Sequence, residues 1–325
     1  MKKVTELLQP CSESEYPADY LMARLRGRQA NFLSDWEALV MHADPMELLL
    51  DTRYGEFISG NSIEGIWKCS LKEFNWVYFQ MNAHTAELFR PFFIYLELRT
   101  LLIYLRHCLR RRHGARTDDI LLYSLLSDAV KKILIRGADI PSVVASLERT
   151  VPFLVLKDRK LSKVFPKEGL RGLEAKLAAA LLEYIVSLEL HPDIKLFFTY
   201  LIDSRNVIAV YKHLKWNISE KPDLVDGGKI RKSVLTKVLR EGEVGGAVSL
   251  AGRLSGTGVR EEDAVNIENI LLTSLTKKVR AAARASDIGF ILHYLWHTYV
   301  ESRNLGIILY GRGIEKESLR EELAV

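Results

Sequence analysis

The chain has 325 residues, of which 48% are hydrophobic, enough to fill a large core. Its 46 basic and 41 acidic residues leave a net charge of +5, a mixed-charge surface without the lopsided balance of a dedicated nucleic-acid binder. Three scattered cysteines (Cys11, Cys69, Cys108) with no CxxC pair favour reduced thiols over a disulfide frame or a zinc site, and no apolar run approaches the ~18 to 20 residues of a membrane helix.

Taken in order, the text reads almost wholly as helix. No secretory signal is expected at Met1–Glu6. Asp44, Pro45 and Glu47 supply an N-cap acid, a first-turn proline and an acid for a short helix from Met46 to Leu50. Ser70 and Glu73 have capping-box spacing. Trp67, Phe74, Trp76, Tyr78 and Phe79 read as core aromatics. Arg106 to His113 is the most basic run, suited to a helix C-terminus and offering weak support for an anionic partner. Thr117–Asp119 opens a helix expected to reach Ile135. Further starts are expected at His191–Asp193, at Val259–Asp263 and at Ser286 or Asp287. The last long helix should stop near Gly311–Gly313 in a left-handed turn, leaving a charged tail, 314–325, expected to fray.

One pattern occurs three times. Glu97-Leu98-Arg99, Asp203-Ser204-Arg205 and Glu301-Ser302-Arg303 lie roughly a hundred residues apart, each preceded by aromatics and followed by a polar residue (Thr100, Asn206, Asn304) and an apolar run. A second echo, an acid at a tight turn followed by a short helix, recurs at Asp44, Asp139 and Glu243. Together they predict an all-α chain of three similar units, 16–116, 117–222 and 223–313. Acid and arginine, two residues apart, face opposite sides of a helix, so they do not pair with each other. Both an inter-repeat role and a docking role stay open for Arg99, Arg205, Arg303, Glu97, Asp203 and Glu301.

His293, His297 and Glu301 share a helical face at metal-ligand spacing. An ordinary packed face is the better reading, because no HExxH string is present and the other repeats lack the histidines. Gly227-Gly228-Lys229 is too short for a phosphate loop. No catalytic string appears, and neither a cofactor nor a metal is expected.

Tyr20 to Arg26, the three acid-x-Arg motifs and above all Glu301 to Leu309 resemble the C-type subunits of the V-type (A-type) rotary ATPases, related to the eukaryotic d-type subunits, over roughly residues 16–313. Thr100 and Leu98 depart from the other two copies. The resemblance implies three units around a pseudo-threefold axis, forming a funnel. It also implies a non-catalytic subunit, peripheral on the cytoplasmic face, whose partners are the proteolipid rotor ring and the central stalk, with no nucleic acid and no membrane span. It would pass torque between them for proton or sodium transport. A helical-repeat adaptor unrelated to rotary motors is the alternative reading.

Overall fold

The computed structural model describes residues 7–11, 17–58, 63–109, 120–137, 139–151, 160–259 and 266–324. Helix accounts for 75% of it, and the described residues hold no strand beyond an isolated bridge between Leu8 and Leu126. The chain divides into two compact units, one of Met1–Arg24 with Glu56–Ile185, the other of Leu25–Gly55 with Val186–Val325.

The first unit is centred on α4 (Ile63–Gln80) and α5 (Ala83–Leu109), after part of α1 (Ala18–Arg28). α2 (Trp36–Met41) and α3 (Pro45–Leu49) belong to the second unit. α5 carries apolar residues around its circumference, so it is buried on several sides; Phe89, Phe92, Phe93 and Leu101 have no exposure. Trp67, Phe74 and Tyr78 of α4 are buried as expected of core aromatics, and Tyr78 meets Phe93 edge-on at 5.0 Å. α6 (Asp128–Arg136), α7 (Ile140–Thr150) and most of α8 (Phe165–Val186) complete the unit.

In the second unit α9 (Pro192–Lys215) packs on α10 (Lys232–Glu241), α11 (Val244–Ser255) and α12 (Ile267–Ala282) around Val207, Val210, Leu235, Ala247 and Leu271. α13 (Asp287–Tyr310) lies against α12. Its Trp296 is fully enclosed, gives its indole N–H to Thr276 at 3.0 Å and meets Phe197 at 5.0 Å. α14 (Lys316–Glu322) follows.

Several start signals act as read. Asp44 accepts from the Met46 N–H at 3.1 Å, with Pro45 opening α3. His191 caps α9, and Ser286 caps α13 through the Gly289 N–H at 2.8 Å.

Four expectations are corrected. Ser70 starts nothing: it sits inside α4 and returns its hydroxyl to the Ile66 carbonyl. The helix expected from 117 to 135 is interrupted, because Ser124–Ser127 is drawn out of helical geometry by bonds to Leu7, Gln9 and Glu97, and Ser127 then caps α6. The positive-φ turn expected at Gly311–Gly313 is not at Gly311, which closes α13 at φ −84°, but two residues on at Gly313, φ +142°. The tail from 315 does not fray: Leu319, Leu323 and Ala324 are buried, and Arg320 pairs with Glu37 of α2. Arg110–His113, Thr117–Asp119 and Arg260–Asp263 lie outside the described residues, as does the boundary at 116/117.

Candidate functional site

Each motif helix, α5, α9 and α13, buries its acid completely while leaving its arginine half-exposed. The two-residue offset turns the two side chains to opposite faces. A carboxylate in such surroundings needs hydrogen-bond donors. In all three motifs one or more of those donors is a backbone N–H.

Glu97 accepts from the Leu125 N–H at 2.5 Å and from the Ser124 hydroxyl at 2.8 Å. Asp203 accepts from the Lys229 and Ile230 N–H groups at 3.0 and 2.9 Å. Glu301 accepts from the Leu33 N–H at 2.9 Å, from the Tyr54 hydroxyl at 2.6 Å and from the Arg53 guanidinium. Burial pushes the carboxyls of Glu97 and Asp203 up, against the opposing pull of these N–H bonds.

The clasped segments occupy matching places. Leu125 precedes α6, Ile230 precedes α10 and Leu33 precedes α2, each by two or three residues. Each of those helices opens the echo of helix, acidic turn and short helix: α2–Asp44–α3, α6–Asp139–α7 and α10–Glu243–α11. Under the repeat bounds expected from sequence, the first acid holds the second unit's strap, the second acid holds the third's, and the third holds the first's. The partners lie 28 and 27 residues ahead of Glu97 and Asp203, but 268 residues behind Glu301.

The residue after the arginine makes a second clasp. Asn206 gives its amide N–H to the Val225 carbonyl at 2.9 Å and accepts the Val225 N–H at 2.8 Å. Asn304 does the same with Ala324, at 3.0 and 3.2 Å. These are two-way pairings between a primary amide and a peptide group, both buried. Thr100, the variant member, takes the indole N–H of Trp67 at 3.2 Å instead. The Gly227-Gly228 pair has a use here: a β-carbon at Gly228 would lie 2.1 Å from Asp203 Oδ1, so only glycine lets the strap pass this close.

The arginines do not share one environment. Arg99 places its guanidinium 4.4 Å from the centre of the Trp67 ring. Arg303 donates to the Glu322 carbonyl at 3.0 Å, and burial pushes its pKa down. Arg205 is half-buried on α9. From the basic run, Arg106 forms a two-bond fork with Glu174 at 2.7 and 2.9 Å, and His107 lies 3.0 Å from Glu64.

His293 and His297 are partly buried on α13. His297 stacks on Phe32 at 4.2 Å and stands 4.0 Å from Glu301 Oε2. Burial pushes both imidazoles down to about 4, with His297 and Arg280 adding to the effect at His293 and Arg53 and Arg280 at His297. Among the described residues no group of three His, Cys, Asp or Glu side chains is placed to hold a metal ion. No described helix is long and apolar enough to cross a membrane.

The acids and arginines were legible as a repeated pattern. Arg53, Tyr54 and the two-way role of the asparagines were not, although the polar residue after each arginine was the available signal.

A comparison with curated proteins gives no match. The family described as ATP synthase (C/AC39) subunit matches residues 21–322. That span includes all three motifs and the straps held by the three acids. The chain therefore belongs to the ATP synthase (C/AC39) subunit family of the V/A-type ATPases.

Proposed function

We propose that this protein is the non-catalytic coupling subunit of a V/A-type rotary ATPase. In this reading it sits on the cytoplasmic face of the membrane, joins the central stalk to the proteolipid ring and passes torque between them for proton or sodium transport. Family membership across residues 21–322 supports the assignment to the rotor. The observation that carries the mechanical part is the cyclic order of the three buried acids, in which Glu301 returns to the strap before α2. A coupler must resist twist. Buried carboxylates on backbone N–H groups do this well, since losing such a contact leaves a desolvated charge without donors. A cyclic succession of clasps favours three units, 16–116, 117–222 and 223–313, closed about a pseudo-threefold axis as a funnel, followed by the 314–325 tail. Glu97, Asp203 and Glu301 hold repeat to repeat, while Arg99, Arg205 and Arg303, on the opposite faces, are the candidates for docking.

The test is co-purification of the chain with the proteolipid ring, repeated with Arg205→Ala and Arg303→Ala alongside thermal melts. Ring binding by the unaltered chain, weakened in the variants without a matching loss of melting temperature, is the expected result. No co-purification removes the coupling assignment. Lost stability with intact ring binding removes the docking role of the arginines alone.

A further inference from the structure

Exposed large hydrophobic side chains are informative only where they gather, because single ones are normal on any surface. Twelve are exposed among the described residues, and five of them, Met41, Leu48, Leu50, Tyr310 and Ile314, lie at one corner of the second unit. The fold ties that corner together. α3 packs on α13, and α14 packs on α2. Arg312, two residues past Tyr310, pairs with Asp44 at 2.6 Å, and Lys316, two past Ile314, reaches the Met41 carbonyl.

Packing does not account for these side chains. In Leu48-Leu49-Leu50 the middle leucine is enclosed, as are Pro45 and Met46, which gives the short helix its inward face. Its two neighbours face water, Leu50 at 62% exposure. Tyr310, the last residue of α13, is 79% exposed. Tyrosine offers a large amphipathic ring at low entropic cost, the kind of side chain that anchors interfaces.

The charge around this corner is one-sided. Segments 37–51 and 310–320 carry six acids and three bases. The bases are all engaged: Arg312 with Asp44, Arg320 with Glu37 and Glu317, Lys316 with the Met41 carbonyl. Glu47, Asp51 and Glu315 are exposed, and among the described residues no base pairs with them. An apolar centre inside a polar rim is the anatomy of a protein interface. An acidic rim selects a basic partner and repels an anionic membrane. No strand among the described residues offers an edge to an extended partner, which leaves a helix as the complementary element.

We infer that this corner docks a basic amphipathic helix of a partner protein. The apolar stripe of that helix covers Leu48, Leu50 and Tyr310, and the lysines or arginines beside the stripe meet Glu47, Asp51 and Glu315. This inference does not rest on the coupling role.

Fluorescence anisotropy with the full chain and a labelled amphipathic helical peptide of leucine and lysine, beside its leucine–glutamate counterpart, tests it. The lysine peptide should bind about tenfold or more tightly than the glutamate peptide. Leu50→Ser with Tyr310→Ser should weaken its binding about tenfold or more. Glu47→Lys with Asp51→Lys should reverse the preference between the two peptides. All four side chains are exposed, so the melting temperature should hold in both variants. Leu122→Ser, at an exposed leucine of the first unit, should leave binding unchanged. Undiminished binding in the Leu50→Ser and Tyr310→Ser variant, equal affinity for the two peptides, or an equal loss in Leu122→Ser overturns the proposal. So does a dimer in sedimentation that the same two changes dissolve, which gives the face to a second copy of the chain. Binding to phosphatidylserine vesicles that those changes abolish overturns it as well, giving the face to a lipid surface.

Discussion

The carboxylate of Glu301 accepts the backbone N–H of Leu33 at 2.9 Å, across 268 residues of chain. The Tyr54 hydroxyl and the Arg53 guanidinium complete its shell, and the residue is 1% exposed. Glu301→Ala would leave three donors facing a void, one of them a cation whose side chain is 14% exposed. Breaking a buried charged contact from one side costs roughly 3–5 kcal/mol. Urea unfolding of Glu301→Ala should show a loss of that size, with Glu301→Gln in between because its amide oxygen still accepts from one donor. A loss below about 1 kcal/mol would mean that this carboxylate does not hold the strap before α2.

Asp203 and Gly228 should be coupled. A β-carbon at Gly228 would meet Asp203 Oδ1 at 2.1 Å, which the strap can relieve only by leaving the Lys229 and Ile230 N–H bonds. Gly228→Ala is expected to cost about 1–3 kcal/mol in the unaltered chain, the usual range for overpacking. In an Asp203→Ala background the same change should cost much less, since both the clash and the bonds it breaks are gone. A double-mutant cycle reads this directly as a non-additive pair. Strict additivity would place the strain elsewhere, for instance at the 2.4 Å approach expected between a Gly227 β-carbon and Val186.

The contrast between these two clasps marks how far the sequence could be read. The acids were findable because an acid-x-arginine step repeated three times is a pattern of side-chain identities. Their partners were not, because Leu125, Ile230 and Leu33 contribute a peptide N–H, a group that every residue except proline carries. Only the Gly227-Gly228 pair left a trace, as a glycine doublet without a phosphate loop to explain it. The last helix was missed for a related reason: its inward stripe is little more than Leu319 and Leu323, too narrow to stand out in a charged segment, and its placement depends on Arg320 finding Glu37 far earlier in the chain. Helix type was legible throughout, since it depends on local spacing; interruptions such as Ser124–Ser127 depend on what the strap binds.

Glu97 gives the protein a dependence on pH. Burial raises its folded-state pKa above the unfolded carboxylate value of about 4.3. Where the folded state holds a proton more tightly than the unfolded state, the contribution to stability is complete below the unfolded pKa and is lost as pH rises through the folded one. Glu97→Gln cannot ionise, yet it keeps an acceptor for the Leu125 N–H, and the Ser124 hydroxyl can turn to accept its amide. The variant should therefore be less stable than the unaltered chain in acid, with the gap closing as pH rises. Denaturant midpoints between pH 4 and 9 test this; a gap that widens with pH would mean the carboxylate is stabilised, not penalised, by its site.

His293 and His297 act with the opposite sign. Both imidazoles are pushed down to about 4 in the folded protein, chiefly by burial, while an unfolded histidine titrates near about 6.5. The unfolded chain thus binds protons over a range in which the folded chain refuses them, so stability is full above the unfolded value and is lost as pH falls toward 4. The stacking of His297 on Phe32, beside the Arg53 and Glu301 pair, means that a proton arriving there would add a cation next to an existing guanidinium. Replacing both histidines with phenylalanine, which keeps the ring stack, should flatten the melting-temperature profile between pH 6.5 and 4 and leave the profile above pH 7 nearly unchanged. If the double variant still loses stability over that acid range as steeply as the unaltered chain, the proton uptake of unfolding belongs to groups other than these two rings.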